Sequence, residues 1–115
     1  MFKKLYNKSS TKTITNQLFI ASSFIEKSLG LIGKPKNHSL YLNTRWGIHT
    51  FFLKHTIDII ILDPNNKITK IRTLTPDKLF FYNPKYSKII ELPENSINIH
   101  KLKIGHELIV KNPKS

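Results

Sequence analysis

The chain has no cysteine. That excludes a disulfide framework, cysteine-ligated zinc, a lipid-anchored cysteine and any thiol nucleophile. No stretch approaches the ~20 consecutive apolar residues of a transmembrane helix. Valine and alanine are almost missing, since Val110 and Ala21 stand alone, and Arg45 and Arg72 are the only arginines. Acids are scarce too: 7 Asp and Glu face 19 Lys and Arg, for a formal charge of +12.

Such a charge invites anionic partners, nucleic acid or a membrane surface. The lysines are spread along the chain, however, and arginine, the usual base-reading residue, is rare. The abundance of Ile, Lys and Asn throughout fits an AT-rich coding bias. A specific nucleic-acid partner is therefore not expected; nonspecific binding at low salt is.

What is present suits one domain. The chain has 115 residues, 39% of them hydrophobic and 23% charged, ordinary values for a soluble globular protein. Residues 1–13 read as a polar, flexible tail, 14–111 as a single β-rich domain and 112–115 as a C-terminal tail. The chain starts with lysines as a signal peptide would, but Thr13, Thr15, Asn16 and Gln17 interrupt any apolar segment, so a cytoplasmic location is expected.

Along the domain, Ile14–Ala21 alternates loosely and reads as a strand. Ser23-Phe-Ile-Glu26 has capping-box spacing, Phe24, Ile25 and Leu29 share a helical face, and Gly30 is a good stop, so a short helix is predicted near 24–29. Ser39–Asn43, Ile48–Leu53 and Ile57–Leu62 read as strands. The last is apolar on both faces apart from Asp58, which predicts a central position. Asp63-Pro-Asn-Asn66 is a turn, and Lys67–Leu74 a half-exposed strand closing a hairpin. Thr75–Tyr86, broken by Pro76 and Pro84, reads as a long loop that folds its aromatics over an open end of the core or lines a pocket. Ser87–Leu92 is a strand, Ser96–Leu102 a short helix or 3₁₀ turn, and Gly105 turns the chain into a last strand, Glu107–Lys111. The sum is a mainly β fold, α+β at the margin: a compact β-sandwich or barrel of about 5–7 short strands with one short helix.

Gly47-Ile-His-Thr-Phe, then Ile57-Asp58 and Leu62-Asp63, resembles the "VHT-x-x-M-x-x-P-I-D-V-x-F-L-D" core of the family called domain of unknown function 192. Leu29-Gly-Leu-Ile-Gly33 resembles its "GLLGR" segment, and Glu91-Leu-Pro-Glu-Asn95 followed by Gly105 resembles its "ELPAG…GD" segment. The resemblance spans roughly Ile14 to Val110. Leu53, Thr56, Asn95 and His106 depart from the usual Met, Pro, Gly and Asp. The resemblance implies a small β-rich fold and no established activity. Many members of the family are exported, which makes export the alternative location.

His49 and Asp58 are the polar residues most enclosed by apolar neighbours. A buried, unpaired carboxylate costs several kcal/mol, so Asp58 needs a partner: His49, Lys54, Arg45, Arg72 or backbone amides near Thr56. If the chain folds back near Leu53-Lys54, His49 and Asp58 face each other and form an acid/base pair. No nucleophile completes it, because strand parity turns Thr50 away from His49. The competing role for both is structural, fixing strand geometry through hydrogen bonds. The five histidines lack tight ligand spacing, so neither a metal nor a cofactor is expected. Trp46, Tyr41 and Phe80-Phe-Tyr82 plug the end of a small barrel or, with lysines, hold a base or sugar.

The function expected on these grounds is a non-enzymatic binding or accessory module with a small-molecule or protein partner. Its ligand-binding residues would be Trp46, His49, Lys54, Asp58 and Glu91. A small hydrolase using His49 and Asp58 is the first alternative, and a nonspecific nucleic-acid-associated protein the second.

Overall fold

A computed structural model describes residues 2–21, 39–45, 47–49 and 55–112, the segment 47–49 as backbone only. Along these residues run β1 (Phe2–Asn7), β2 (Lys12–Ile20), β3 (Ser39–Asn43), β4 (Gly47–His49), β5 (Ile57–Leu62), β6 (Ile68–Leu74), β7 (Leu79–Phe81), β8 (Lys88–Pro93), a short helix α1 (Ser96–Ile99) and β9 (Leu108–Lys111). The helix expected near 24–29 lies outside the described residues.

Seven strands form one mixed sheet in the order β6-β5-β8-β3-β2-β1-β9, and β4 pairs with β7 in a separate two-stranded ribbon. Only β2 and β3 run parallel; the other pairs are antiparallel. The isoleucines of β5 suit a pleated surface covered on both sides, and all six of its residues are buried. Its hairpin with β6 closes where the sequence places the turn. Asp63 Oδ1 accepts hydrogen bonds from the N–H groups of Asn65 (2.8 Å) and Lys67 (2.9 Å), and Asn66 takes a left-handed conformation. Gly105 sits at φ +92, which L side chains rarely adopt, so the turn into β9 requires glycine.

The sheet separates two cores by strand parity. One contains Leu40, Leu42, Ile57, Ile59, Ile61 and Ile89 and is covered by Phe80 and Tyr82 from the ribbon and its exit. The other contains Leu5, Leu18, Ile60, Leu92, Leu102 and Leu108, which the sheet encloses by curling on itself. The two edges of the sheet meet at one isolated bridge, Lys67 with Glu107. Bonds from Ile68 N to His106 O (2.9 Å) and Gly105 N to Ile68 O (2.8 Å) support the meeting point. The result is a mainly β, single compact domain. It is not a closed barrel, because β6 and β9 share no continuous ladder.

Two expectations need correction. The N-terminal residues are not a tail: β1 lies between β2 and β9, with Leu5 and Asn7 fully buried. Its Lys and Asn content hid a strand that its neighbours stabilise by pairing on both sides. The 75–86 stretch is not wholly loop either, since Leu79–Phe81 pairs with β4. Its aromatics do cover the core: Phe80 and Tyr82 are buried, whereas Phe81 is 69% exposed.

Candidate functional site

Asp58 and Glu91 are both buried, at 1% and 4% exposure. Asp58 shares the parity of Ile60 and Leu62 and faces the curled side. Glu91 lies opposite Leu40 and Ile59 and faces the ribbon side. The two carboxylates thus serve different cores.

Asp58 is satisfied. Its Oδ1 accepts from the Thr73 hydroxyl (2.9 Å), its neighbour across β6, and its Oδ2 accepts from the backbone N–H of Ile97 in α1 (2.9 Å). Of the partners expected from the sequence, the two arginines are engaged elsewhere. Arg45 donates to the carbonyls of Pro84 (2.6 Å) and Lys85 (3.4 Å), and the Arg72 guanidinium lies 5.4 Å from the centre of the Phe80 ring. Among the described strands, β4 is not paired with β5. His49 pairs with Leu79 in the ribbon, while Asp58 sits opposite Thr73 and Leu92 in the main sheet. Trp46 and Lys54 lie outside the described residues, as does the side chain of His49.

Glu91 is different. Its Oε2 is buried and has no hydrogen-bond partner among the described residues. Burial pushes its carboxyl up to about 7, so near neutrality a large share of molecules carry it protonated. Tyr82, on the same side of the sheet, donates its hydroxyl to the carbonyl of Thr44. Burial pushes the Tyr82 phenol up to about 12; the Glu91 charge adds to that rise and the Arg45 charge opposes it. A protonated carboxyl can both donate and accept, which suits a polar group arriving from outside. The sequence places Tyr82 in an aromatic cluster but carries no signal linking it to Glu91, because only tertiary structure brings the two strands' surroundings together.

A small single domain with a mixed, incompletely closed sheet is the class these features define. A UPF0127 protein of Pyrococcus horikoshii is 31% identical to the chain over 110 residues, spanning 90% of this chain and 96% of that protein. One of Thermococcus sibiricus is 33% identical over 113 residues, spanning 90% of this chain and 72% of that protein. The chain belongs to the UPF0127 family. No family model matches it, so the assignment to domain of unknown function 192 made from short motifs is corrected to UPF0127, for which that phrase is the family-model name. Among solved structures, a proposed transcription regulator of Sinorhizobium meliloti superposes with TM-score 0.78 at 13% identity, covering 94% of this chain and 91% of that one. A protein of unknown function from Novosphingobium aromaticivorans superposes with TM-score 0.76 at 12% identity, covering 95% and 84%. At these identities the likeness is one of fold alone. No helix among the described residues is long and apolar enough to cross a membrane.

Proposed function

We propose that the protein is a non-enzymatic ligand-binding module whose site is centred on Glu91. The observation that carries this reading is the Oε2 of a carboxyl that is only 4% exposed, in the middle of a sheet, with no partner among the described residues. Burying such a group without a partner costs about 1–3 kcal/mol. Local rules broken at a cost to stability are concentrated where a protein binds or reacts. A ligand with adjacent donor and acceptor atoms would satisfy the carboxyl, and Tyr82 and Ile59 would flank it.

The hydrolase alternative requires His49 and Asp58 to share a hydrogen bond. Strand register gives that pairing no support, and Thr73 and Ile97 already account for both Asp58 oxygens.

Native mass spectrometry of gently purified wild-type protein and Glu91→Leu tests the proposal, together with their melting temperatures. Glu91→Leu should melt higher, because an apolar side chain of similar size removes the unmet polar atom. The wild type should carry an adduct of defined mass that the variant lacks. A variant that melts lower, or that retains the same adduct, would count against the site.

A further inference from the structure

On the curled side of the sheet, away from Glu91, a cavity of about 400 Å³ opens between the end of β5 and strand β9. It lies at the opposite end of β5 from Asp58 and α1, ~13 Å along the strand. Its size falls within the ~300–1,000 Å³ of small-molecule pockets, which recur at the mouths of barrel-like sheets.

The walls and rim differ in chemistry. Leu62 and Leu108 form buried apolar wall, and Val110, 39% exposed, stands at the opening. The polar groups are Lys3, Tyr41 and Asn66. Lys3 Nζ donates one hydrogen bond, to Asn112 Oδ1 (2.6 Å), and an ammonium has two more N–H groups to give. Lys88 Nζ donates to Asn66 Oδ1 (2.8 Å) and to the carbonyl of Pro64 (3.3 Å). That fixes the amide of Asn66: its oxygen meets the ammonium, so its N–H₂ is left to donate elsewhere. The Tyr41 hydroxyl is a further donor. No carboxylate lines the cavity among the described residues. The rim is therefore donor-rich and positive, above an apolar floor.

We propose that this mouth binds a small monocarboxylate with an apolar body. The carboxylate would accept from Lys3, Tyr41 and the Asn66 amide, while the body lies against Leu62, Leu108 and Val110. This site is independent of the one centred on Glu91 and stands or falls separately.

The test uses the full chain with sodium octanoate and octan-1-ol as probes, followed by isothermal titration and by amide chemical shifts. Octanoate should bind saturably, with shifts gathered at residues 3, 41, 62, 66 and 108–110. Lys3→Gln should weaken octanoate about fivefold, the loss of one charge-assisted bond at a wet rim, and leave octan-1-ol unchanged. Val110→Trp should obstruct both probes. Glu91→Leu should leave octanoate affinity as it is. Lys103→Gln, an equal charge change on an exposed lysine elsewhere, sets the control. The proposal is overturned if octanoate gives no saturable shifts or if its shifts gather around Glu91. It is also overturned if Lys103→Gln weakens octanoate as much as Lys3→Gln does, because net charge alone would then explain the binding.

Discussion

Asp58 accepts a hydrogen bond from the backbone N–H of Ile97 at 2.9 Å, across 39 residues of sequence. That contact ties the start of β5 to the first turn of α1. The helix has no cap of its own: Asn95 occupies the N-cap position in a left-handed conformation and makes no side-chain capping bond. A carboxylate from a distant strand meets the orphan donor instead.

Removing that carboxylate should be costly. Asp58→Ala is expected to lower stability by about 3 kcal/mol, since the Ile97 N–H and the Thr73 hydroxyl both lose a charged acceptor in a buried place. Thr73→Val should cost about 1 kcal/mol alone and less in the Asp58→Ala background, because the two residues share one interaction. Urea midpoints of the four proteins measure this. Equal melting of wild type and Asp58→Ala would show that the tether carries no energy.

Glu91 should make stability depend on pH in a defined direction. Its folded value of about 7 lies above the ordinary 4.5. Between these values the unfolded chain has released a proton that the folded chain retains, so stability falls as pH rises through the window and levels off above it. The contribution is on the order of 3 kcal/mol. Urea unfolding near pH 5 and pH 7.5 should show wild type losing this increment relative to Glu91→Gln, in which the group does not titrate. Parallel behaviour of the two proteins would mean that Glu91 ionises as an ordinary carboxyl.

The N-terminal strand should be indispensable. Deleting residues 1–7 removes the strand between β2 and β9 and takes Leu5 out of the core. Both neighbours would lose a ladder and their paired backbone groups. Circular dichroism melts should show no cooperative transition in the truncated chain. A melt within a few degrees of the full-length protein would assign β1 no role in stability.

Core and surface isoleucines should separate cleanly. Ile60 is fully buried and Ile104 is 61% exposed. Ile60→Ala is expected to cost about 3–4 kcal/mol through lost transfer energy and the cavity left behind. Ile104→Ala should stay within about 0.5 kcal/mol. Denaturant titrations of both variants check the contrast.

How much of this was legible beforehand follows the range of each interaction. The β5–β6 hairpin was readable because its signals sit within a few residues: a run of isoleucines, then Asp63-Pro-Asn-Asn66, then alternation. Gly105 was readable as a turn for the same reason. β1 was not, since its sequence is polar and only pairing on both sides makes it a strand. The β4–β7 ribbon was hidden by the prolines around it and by the long separation of its strands. Asp58 stands out in the sequence by its apolar surroundings, whereas nothing around Glu91 marks it as buried. Neither carboxylate's partners nor its face are legible there, and the placement of β4 beside β7 rather than β5 is a matter of tertiary pairing.

The sequence by itself determined a single mainly β domain, the apolar strand at its heart and the turns that punctuate it, because alternation and turn chemistry act between near neighbours. The tertiary structure alone decided that Asp58 is satisfied while Glu91 Oε2 has no partner among the described residues. Whether a buried polar atom finds a partner depends on which distant strands and backbone groups converge on it, and that is a property of the assembled sheet rather than of any local stretch of chain.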